Sequence, residues 1–379
     1  MKKQMIYADN AATTKLDTAA FEAMKPYLLD EYGNASQPYS FARRPRQALK
    51  DARAMIAQCI NADPEEIFFT SGGTESDNWA IKGIAFSGAE KSAVLTSQIE
   101  HHAVLRACES IEKMGYPVAY LPVTEEGIIT VEALSNMITT STQLVSIMYA
   151  NNEIGTIEPI KDLCDIAHRH GALFHTDAVQ AVGHVPIDVK DLGVDLLSAS
   201  AHKFNGPKGI GFLYVKKGTP LLAYANGGSQ EFGMRAGTEN VAAIVGMAVA
   251  LKENCDAIAE HSCHIAKLED QLINGLSSSG IDFVRNGSSS SLPGNISLSF
   301  KNADGEALLH RLDLLGICIS TGAACDTVHT QISHVLAAIG LHTDYAKGTI
   351  RISFGKNNTD SDVTAIVDVL KKILGSAKR

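Results

Sequence analysis

A lysine stands directly after an apolar segment that ends in small hydrogen-bonding residues. The segment is LSASAHKFNGPKGIGFLYV (197–215), in which Lys203 follows Ser200 and His202 and precedes a glycine-rich turn. A solvated loop position is the ordinary explanation for a lysine. The alternative is a lysine held for covalent chemistry, because a primary amine forms an imine with an aldehyde. The neighbouring segments favour the second explanation.

Four more apolar segments end in residues that could do chemistry. FFT is followed by Gly73 and Thr74, TSQIE by His101 and His102, MYA by Asn152, and FHT by Asp177 and Gln180. Each residue has an ordinary structural explanation when taken alone: a helix cap for the aspartate, a turn for the asparagine, a half-buried ring for the histidine. Together, at successive strand ends, they predict one pocket.

The elements that position these residues are predicted from the apolar pattern between about residues 45 and 250. Short runs rich in Val, Ile, Leu and Phe predict strands, and they alternate with helical stretches such as 75–89 and 161–171. This alternation predicts an α/β fold with a mostly parallel sheet flanked by helices. Ligands of such sheets bind beyond the carboxyl ends of the strands, where the polar residues fall.

A second, smaller domain is predicted, because 379 residues exceed what one core usually holds. Residues 1–15 are predicted to pack near the site, and residues 16–255 to form the large domain that binds the cofactor. Residues 256–379 are predicted to form an α+β domain, in which NISLSFKN (295–302) and GTIRISFGK (348–356) alternate as strands do.

Composition argues against several classes of protein. The formal net charge is -9 and no basic patch dominates, so nothing points to a nucleic-acid partner. No apolar run approaches the ~20 residues that span a bilayer, so no membrane partner is expected. The seven cysteines are odd in number and form no CxxC pair. That pattern argues against a disulfide framework or a metal site and favours the reducing cytoplasm.

The strand-end residues match the requirements of pyridoxal 5′-phosphate. Its aldehyde needs a lysine amine, for which Lys203 is the candidate, and its pyridine nitrogen needs a carboxylate, for which Asp177 is the candidate. His101 offers a flat ring that could stack on the cofactor, and Gln180 could donate to the phenolic oxygen. The phosphate needs donors at a helix N-terminus. The candidate phosphate ligands are Gly73, Thr74, Ser200 and His202.

Motifs over nearly the whole chain resemble those of the cysteine desulfurases of the NifS and IscS type. These enzymes belong to the class V aminotransferase group of fold-type I pyridoxal-phosphate enzymes. The motifs are YADNAATT (7–14), FTSGGTESDN (69–78), IEHHAV (99–104), MYANNEIGTIEPI (148–160), FHTDAVQAVG (174–183), SASAHKFNGPKGIGFLYV (198–215), GMRAGTEN (233–240) and IRISFG (350–355).

The resemblance implies a reaction and its partners. Sulfur would be removed from L-cysteine, which leaves alanine and a persulfide on an enzyme cysteine. The persulfide would pass to a sulfur acceptor or an iron–sulfur scaffold protein. The site would lie at the interface of a homodimer, with Thr238 reaching the phosphate in the partner subunit.

The resemblance also implies roles for the site residues. Lys203 would hold the cofactor and take the α-proton, Asp177 would pair with the pyridinium, and His101 would stack on the ring and move protons. Asn152, at the cofactor, and Arg351 would bind the substrate carboxylate. A planar guanidinium suits that task because it meets a carboxylate with two parallel bonds. The ordinary alternative for Arg351 is a surface arginine at a strand edge.

Cys325 is the candidate nucleophile by the same resemblance. It follows STGAA in a small, polar stretch, which suits a thiol that must ionise, attack the substrate sulfur and then reach an acceptor. Cys318 lies seven residues earlier among apolar neighbours and is predicted to be part of the core. The other five cysteines lie on helical patterns or at element ends and are predicted to be inert. The length of the loop resembles the branch that supplies iron–sulfur scaffolds directly.

Three stretches depart from the family pattern. Tyr39 lies in a stretch where the resemblance implies contacts at the substrate entrance. Phe232 stands where an arginine is usual, and DTVHTQ (326–331) replaces a serine-rich stretch. By the same resemblance, the last two lie near the surface where partner proteins would dock. Related scaffolds serve aminotransferases, selenocysteine lyases and cysteine lyases, and a non-catalytic scaffold is a further alternative. An aminotransferase would not need Cys325, and a non-catalytic scaffold would not need the complete set of reactive residues.

Overall fold

The computed structural model describes residues 5–88, 92–321 and 332–376 of the chain. The strands in these residues are β1 (Ile6–Tyr7), β2 (Ile67–Thr70), β3 (Ala93–Ser97), β4 (Val118–Leu121), β5 (Thr142–Ser146), β6 (Leu173–Asp177), β7 (Leu196–Ser200), β8 (Gly211–Val215), β9 (Phe283–Asn286), β10 (Asn295–Phe300), β11 (Ile317–Cys318) and β12 (Thr349–Ser353). The helices are α1 (Thr18–Leu29), α2 (Arg43–Cys59), α3 (Gly73–Ala85), α4 (His102–Lys113), α5 (Val131–Met137), α6 (Ile160–Arg169), α7 (Val189–Leu192), α8 (Val241–Asp256), α9 (Ile258–Ser277), α10 (Gly305–Leu314), α11 (His334–Ala338), α12 (Thr343–Ala346) and α13 (Asp360–Ser376).

A seven-stranded sheet carries the site. Its strand order is β2-β8-β7-β6-β5-β3-β4. Strands β3 to β7 pair in parallel, whereas β8 runs antiparallel to both β2 and β7. Strand β2 is therefore parallel to β7, and its carboxyl end lies at the same edge of the sheet. The predicted α/β fold with a mostly parallel sheet is confirmed.

Helices bury both faces of this sheet. Successive side chains of a strand point to opposite faces, so neighbouring residues belong to different cores. Phe69, Phe174 and Leu197 belong to the core formed with α2, α6 and α8. Phe68 and Leu196 belong to the core formed with α3 and α4. Strands that are covered on both sides contain continuous apolar runs, and these short runs are the signal that predicted them.

A second core surrounds the antiparallel sheet β12-β10-β9. Helix α9 packs against α13 and buries Ile265, Leu268, Leu272 and Leu276, whose spacing of three and four residues places them on one face. Helix α8 ends at Asp256 and packs instead on α1 and α2. The chain therefore changes packing partners between α8 and α9, close to the predicted boundary at residues 255 and 256. The division into two domains stays a prediction.

The N-terminal residues contact both groups of elements. Strand β1 pairs with β11. The following segment, residues 8–14, forms backbone hydrogen bonds with β12 and then with the turn that follows β7. We call residues 8–14 the N-terminal strap. At one end Ser353 N–H donates to the Ala8 carbonyl at 2.8 Å, and at the other Thr14 N–H donates to the His202 carbonyl at 2.8 Å.

The structure differs from two of the expectations. Strand β4 was not predicted, because it lies at the sheet edge and Val118, Ala119 and Tyr120 are only half-buried, which weakens the apolar signal. Cys318 was predicted to be core, but it is half-buried and its pairing partner in the two-stranded sheet is Tyr7. Among the described residues, no helix is both long and apolar enough to cross a membrane.

Candidate active site

A cavity of about 710 Å³ opens at the carboxyl edge of the seven-stranded sheet. Ten of the twelve predicted site residues line it, although they come from six separate stretches of chain. These are Gly73, Thr74, His101, Asn152, Asp177, Gln180, Ser200, His202, Lys203 and Arg351.

Lys203 lies in the 3-10 turn Ala201–Lys203 that follows β7. Its Nζ donates to the carbonyl oxygens of Ala11 at 2.6 Å and Ala12 at 2.9 Å, both in the N-terminal strap. Gln180 donates its Nε2 to the same Ala11 carbonyl at 3.0 Å. The strap therefore holds the amine inside the cavity, at the strand end where the sequence predicted it.

Asp177 ends β6 and is 5% exposed. Its Oδ1 accepts a hydrogen bond from Val179 N–H at 2.9 Å. Burial raises the pKa of the Asp177 carboxyl, whereas His101, the Val179 N–H and Lys203 act in the opposite direction. These three groups stabilise the carboxylate form that a pyridinium partner requires.

Asp77, a second carboxyl, lies in α3 close enough to couple electrostatically to Asp177 and is 1% exposed. Burial and the charge of Asp177 raise the pKa of Asp77 well above its ordinary value, while a hydrogen bond with Ser198 lowers it. Two neighbouring buried carboxyls cannot both ionise cheaply. Because Lys203 and the Val179 N–H stabilise the carboxylate form of Asp177, we assign the negative charge to Asp177 and the proton to Asp77.

His175 lies below this pair and is fully buried. Its Nδ1 is 2.8 Å from Ser146 Oγ and its Nε2 is 2.9 Å from Ser198 Oγ. Burial lowers the pKa of His175 to about 3, so the ring is neutral at physiological pH. The groups next to Asp77 and Asp177 are thus neutral, and hydrogen bonds through the Ser146 and Ser198 hydroxyls connect them.

The N-terminus of α3 forms a cradle that excludes side chains. Gly72 has φ +146° and ψ -175°, a backbone conformation open almost only to glycine. A Cβ on Gly73 would lie 2.6 Å from Val179 Cγ2, and a Cβ on Gly72 would lie 3.4 Å from Ser200 Oγ. Exposed N–H groups, a helix dipole and hydroxyls at this point form a site for a phosphate.

Four histidines line the cavity, and two of them, His101 and His202, are predicted site residues. His101 caps α4, and its Nδ1 accepts from Ala103 N–H at 3.1 Å, which places the proton of the neutral ring on Nε2. Burial lowers the pKa of His101, against the effect of Asp177. His202 has its Nδ1 3.1 Å from Thr13 Oγ1 of the strap, and burial lowers its pKa to about 4. Both rings are therefore neutral at physiological pH.

Arg351 reaches the cavity from β12 and is 4% exposed. Its Nη1 donates to the Asn152 carbonyl and its Nη2 to Asp9 Oδ1, both at 2.8 Å. Its Nε is buried and has no hydrogen-bond partner in the part of the chain that the structure describes. The surface alternative for Arg351 is thus wrong.

The remaining predicted residues lie outside this cavity or outside the described residues. Thr238 is exposed and does not line the cavity, so its predicted role in a partner subunit stays a prediction. Cys325 lies outside the described residues. Phe232 is 61% exposed and has φ +57°, and its ring is 5.8 Å from that of Phe68. Tyr39 is 50% exposed.

Pyridoxal phosphate fits these residues. The cavity has the volume of a small-molecule site and contains an amine, a buried carboxylate and a phosphate cradle within one enclosure. The Asp77 Oδ1 atom is buried with no hydrogen-bond partner among the described residues, which marks the floor of the cavity as polar. Lys203, Asp177 and the N-terminus of α3 are the groups that would hold the aldehyde, the ring nitrogen and the phosphate.

Two carboxyl residues next to the predicted set, Asp77 and Asp9, were not predicted from the sequence. Asp77 was within the quoted motif FTSGGTESDN, one helical turn after Gly73, and that spacing could have indicated that it faces the site. Asp9 was within YADNAATT, but nothing in its local sequence indicates that it contacts Arg351.

The chain belongs to the class-V aminotransferase family, whose profile matches residues 6–366. Enzymes of this family depend on pyridoxal 5′-phosphate, so the predicted cofactor is confirmed. The match covers nearly the whole chain, including every cavity residue named above.

Among its relatives, the resemblance to cysteine desulfurases is confirmed. Cysteine desulfurase IscS of Clostridium botulinum strain Hall is 46% identical over 378 residues, which cover 99% of this chain and 95% of the relative. Cysteine desulfurase IscS of Dictyoglomus turgidum is 47% identical over 374 residues, which cover 98% and 95%. A solved NifS-like protein superimposes with a TM-score of 0.93 at 38% identity and covers 98% of this chain and 100% of its own. A structure described as SspA in complex with cysteine has a TM-score of 0.83 at 37% identity, covering 93% and 100%.

Proposed function

We propose that this protein is a cysteine desulfurase. It converts L-cysteine to L-alanine, transfers the sulfur to Cys325 as a persulfide, and supplies iron–sulfur cluster assembly or a related sulfur-transfer pathway. The observation that carries the proposal is the assembly of ten predicted residues in one cavity, in a chain whose full-length relatives are cysteine desulfurases.

Pyridoxal phosphate, when bound, supplies a ring that stabilises negative charge at the substrate α-carbon. Asp177 would face the ring nitrogen and keep it protonated, and its low exposure would strengthen this charge pair because buried charges are little screened. His101 would stack on the ring, and Gly73, Thr74, Ser200 and His202 would hold the phosphate. Gln180 would donate its amide to the phenolic oxygen.

Lys203 serves as anchor and base. Its amine would hold the cofactor aldehyde, and the free amine would take the substrate α-proton at Nζ. The Ala11 and Ala12 carbonyls, 2.6 and 2.9 Å from Nζ, keep the released amine within reach. The neutral His101 ring, with its proton on Nε2, can donate that N–H as a hydrogen bond toward the cavity, because its Nδ1 already accepts from Ala103 N–H.

The thiolate of Cys325 attacks the sulfur of the bound substrate. An S–S bond forms as the substrate Cβ–S bond breaks, and the electron pair stays with the carbon fragment, which takes up protons and leaves as alanine. The described residues around this segment lie close to the site: Ser320 exchanges backbone hydrogen bonds with Arg351, and Ser333 donates to Glu153 at 2.5 Å.

The partners follow from the same proposal. A second copy of the chain would place the exposed Thr238 at the phosphate of the neighbouring site. A sulfur-acceptor or iron–sulfur scaffold protein would take the persulfide from Cys325. The cytoplasm is the proposed location, because the nucleophile must remain a reduced thiol between turnovers.

The experiment is incubation of the holoenzyme with L-cysteine, followed by assay of alanine and mass spectrometry of the Cys325 peptide. We expect alanine and a mass gain of one sulfur atom on that peptide. Cys325→Ala should abolish persulfide transfer and retain the cofactor spectrum. Sulfur release at the wild-type rate from Cys325→Ala would point to a lyase, and conversion of a keto acid instead of desulfuration would point to an aminotransferase. Either result would refute the proposal.

A further inference from the structure

The buried guanidinium of Arg351 has one charged partner within salt-bridge distance in the described structure. The carboxylate of Asp9 accepts from Nη2 at 2.8 Å, and the two side chains are 5% and 18% exposed. A guanidinium removed from water needs a compensating charge and hydrogen bonds, otherwise its burial is costly. Asp9 supplies that charge, and the Asn152 carbonyl supplies a second hydrogen bond.

The backbone around Asp9 is fixed to the strand that carries Arg351. Asp9 forms a parallel bridge with Ser353, Asn10 N–H donates to the Ser353 carbonyl at 3.1 Å, and Ala11 N–H donates to Ser353 Oγ at 2.9 Å. Arg351 and Ser353 are two residues apart in β12, so their side chains share one face of the strand. The Asp9 carboxylate therefore has a defined position relative to Arg351.

The salt bridge leaves donors for a ligand. A guanidinium has five N–H groups, and the contacts to Asp9 and Asn152 each involve a different terminal nitrogen. Each terminal nitrogen retains a second N–H, and Nε has no partner among the described residues. The pair can thus keep the guanidinium in place while the remaining N–H groups bind a carboxylate.

We propose that Asp9 is a positioning residue that orients Arg351 toward the α-carboxylate of the substrate. This inference rests on the proposed function, because it concerns recognition of an amino acid substrate at the same site. Without Asp9, the long arginine side chain loses its ion pair and samples other rotamers. Binding of carboxylate ligands then weakens, whereas ligands without a carboxylate are unaffected.

Asp17 provides a matched control. Its carboxylate accepts from Lys356 Nζ at 2.6 Å, and the two side chains are 17% and 20% exposed. This salt bridge also ties the N-terminal region to the residues after β12, but it does not involve Arg351. If the Asp9 salt bridge were only a structural tether, Asp9→Asn and Asp17→Asn would have the same effect on ligand binding.

The experiment compares wild type, Asp9→Asn, Asp9→Glu and Asp17→Asn as holoenzymes. The absorbance change of the bound cofactor gives the Kd for L-alanine, and ethylamine serves as the probe that lacks a carboxylate. Asp9→Asn should weaken L-alanine binding roughly tenfold or more, as expected for loss of a charge-assisted hydrogen bond, with KM for L-cysteine rising in parallel and kcat changing less. Asp9→Glu should recover part of the loss, and Asp17→Asn should resemble wild type.

Two outcomes would overturn the inference. Unchanged or tighter L-alanine binding in Asp9→Asn would show that Asp9 is neutral or competes with the ligand for Arg351. Equal losses for L-alanine and ethylamine, or equal losses in Asp9→Asn and Asp17→Asn, would show a general structural role. Alanine binding is measured without turnover, so the test remains valid even if L-cysteine is not desulfurated and the proposed function fails.

Discussion

Replacing Glu158 with glutamine should make the protein more resistant to alkaline pH. Glu158 is 3% exposed, and its Oε2 accepts from Ile129 N–H at 2.9 Å. Its Oε1 is buried without a hydrogen-bond partner among the described residues. Burial raises the pKa of this carboxyl from 4.5 to about 8.

The sign of the effect follows from proton linkage. Between pH 4.5 and 8 the folded carboxyl keeps a proton that the unfolded chain has lost, so the free energy of unfolding falls as pH rises. For a pKa of about 8, the loss from this one group between pH 6 and pH 9 is roughly 2–3 kcal/mol. Glutamine cannot ionise and has no such loss.

Thermal unfolding provides the assay. An unfolding entropy of about 0.8 kcal/mol per degree, estimated for a chain of 379 residues, converts that loss to a Tm difference of about 3 °C. The Tm of Glu158→Gln relative to wild type should therefore rise by about 3 °C between pH 6 and pH 9. Glu125→Gln, at an exposed position, is the control and should follow wild type at every pH.

A constant Tm difference across this pH range would refute the reasoning. It would mean that the Glu158 carboxyl does not titrate between pH 6 and pH 9 in the folded protein. Glu100, whose pKa burial also raises to about 8, is present in all three proteins, so its contribution cancels in the comparison.

Three further substitutions test the site and its supports. Asp177→Asn removes the charge opposite the ring nitrogen, so cofactor affinity in an absorbance titration should fall and alanine formation should slow by about 100-fold or more. Gly211→Ala places a Cβ 2.4 Å from a β7 carbonyl oxygen, beside the phosphate cradle, and should lower both the Tm and the cofactor affinity. Gly375→Ala, which meets nothing within 4 Å, is its control and should change neither. Arg53→Met leaves Glu231, whose side chain is 4% exposed, without its salt-bridge partner. The cost of about 3–5 kcal/mol should lower the Tm by about 5 °C in a thermal melt.

The parts of the site that could be predicted lie at the ends of buried strands. Asp177 and Lys203 follow continuous apolar runs, which are recognisable because the sheet is covered on both faces. Once those runs are recognised as parallel strands, the rule that their carboxyl ends share an edge brings the residues together. The chemistry of each side chain then suggests its partner in the cofactor.

The parts that could not be predicted depend on contacts between distant stretches of chain. Asp9 and Arg351 are 342 residues apart, and neither local sequence indicates the other as a partner. The antiparallel direction of β8 is likewise a property of the complete sheet, because its apolar run GFLYV is equally compatible with either direction. The proton on Asp77 arises from its burial and from its closeness to Asp177, both of which only the packing of α3 on the sheet creates.

The N-terminal strap has a consequence for biosynthesis. Residues 8–14 leave the ribosome well before their partner Ser353, which is synthesised 342 residues after Ala11. At a translation rate of about 5–20 residues per second, the strap waits on the order of 20–70 seconds for that strand. A nascent chain can thus form the large sheet early, but the carbonyls that hold Lys203 and the carboxylate that holds Arg351 come into register only when the last strand has emerged. The catalytic pocket is therefore completed only after β12 has been synthesised, and chains truncated before β12 lack it.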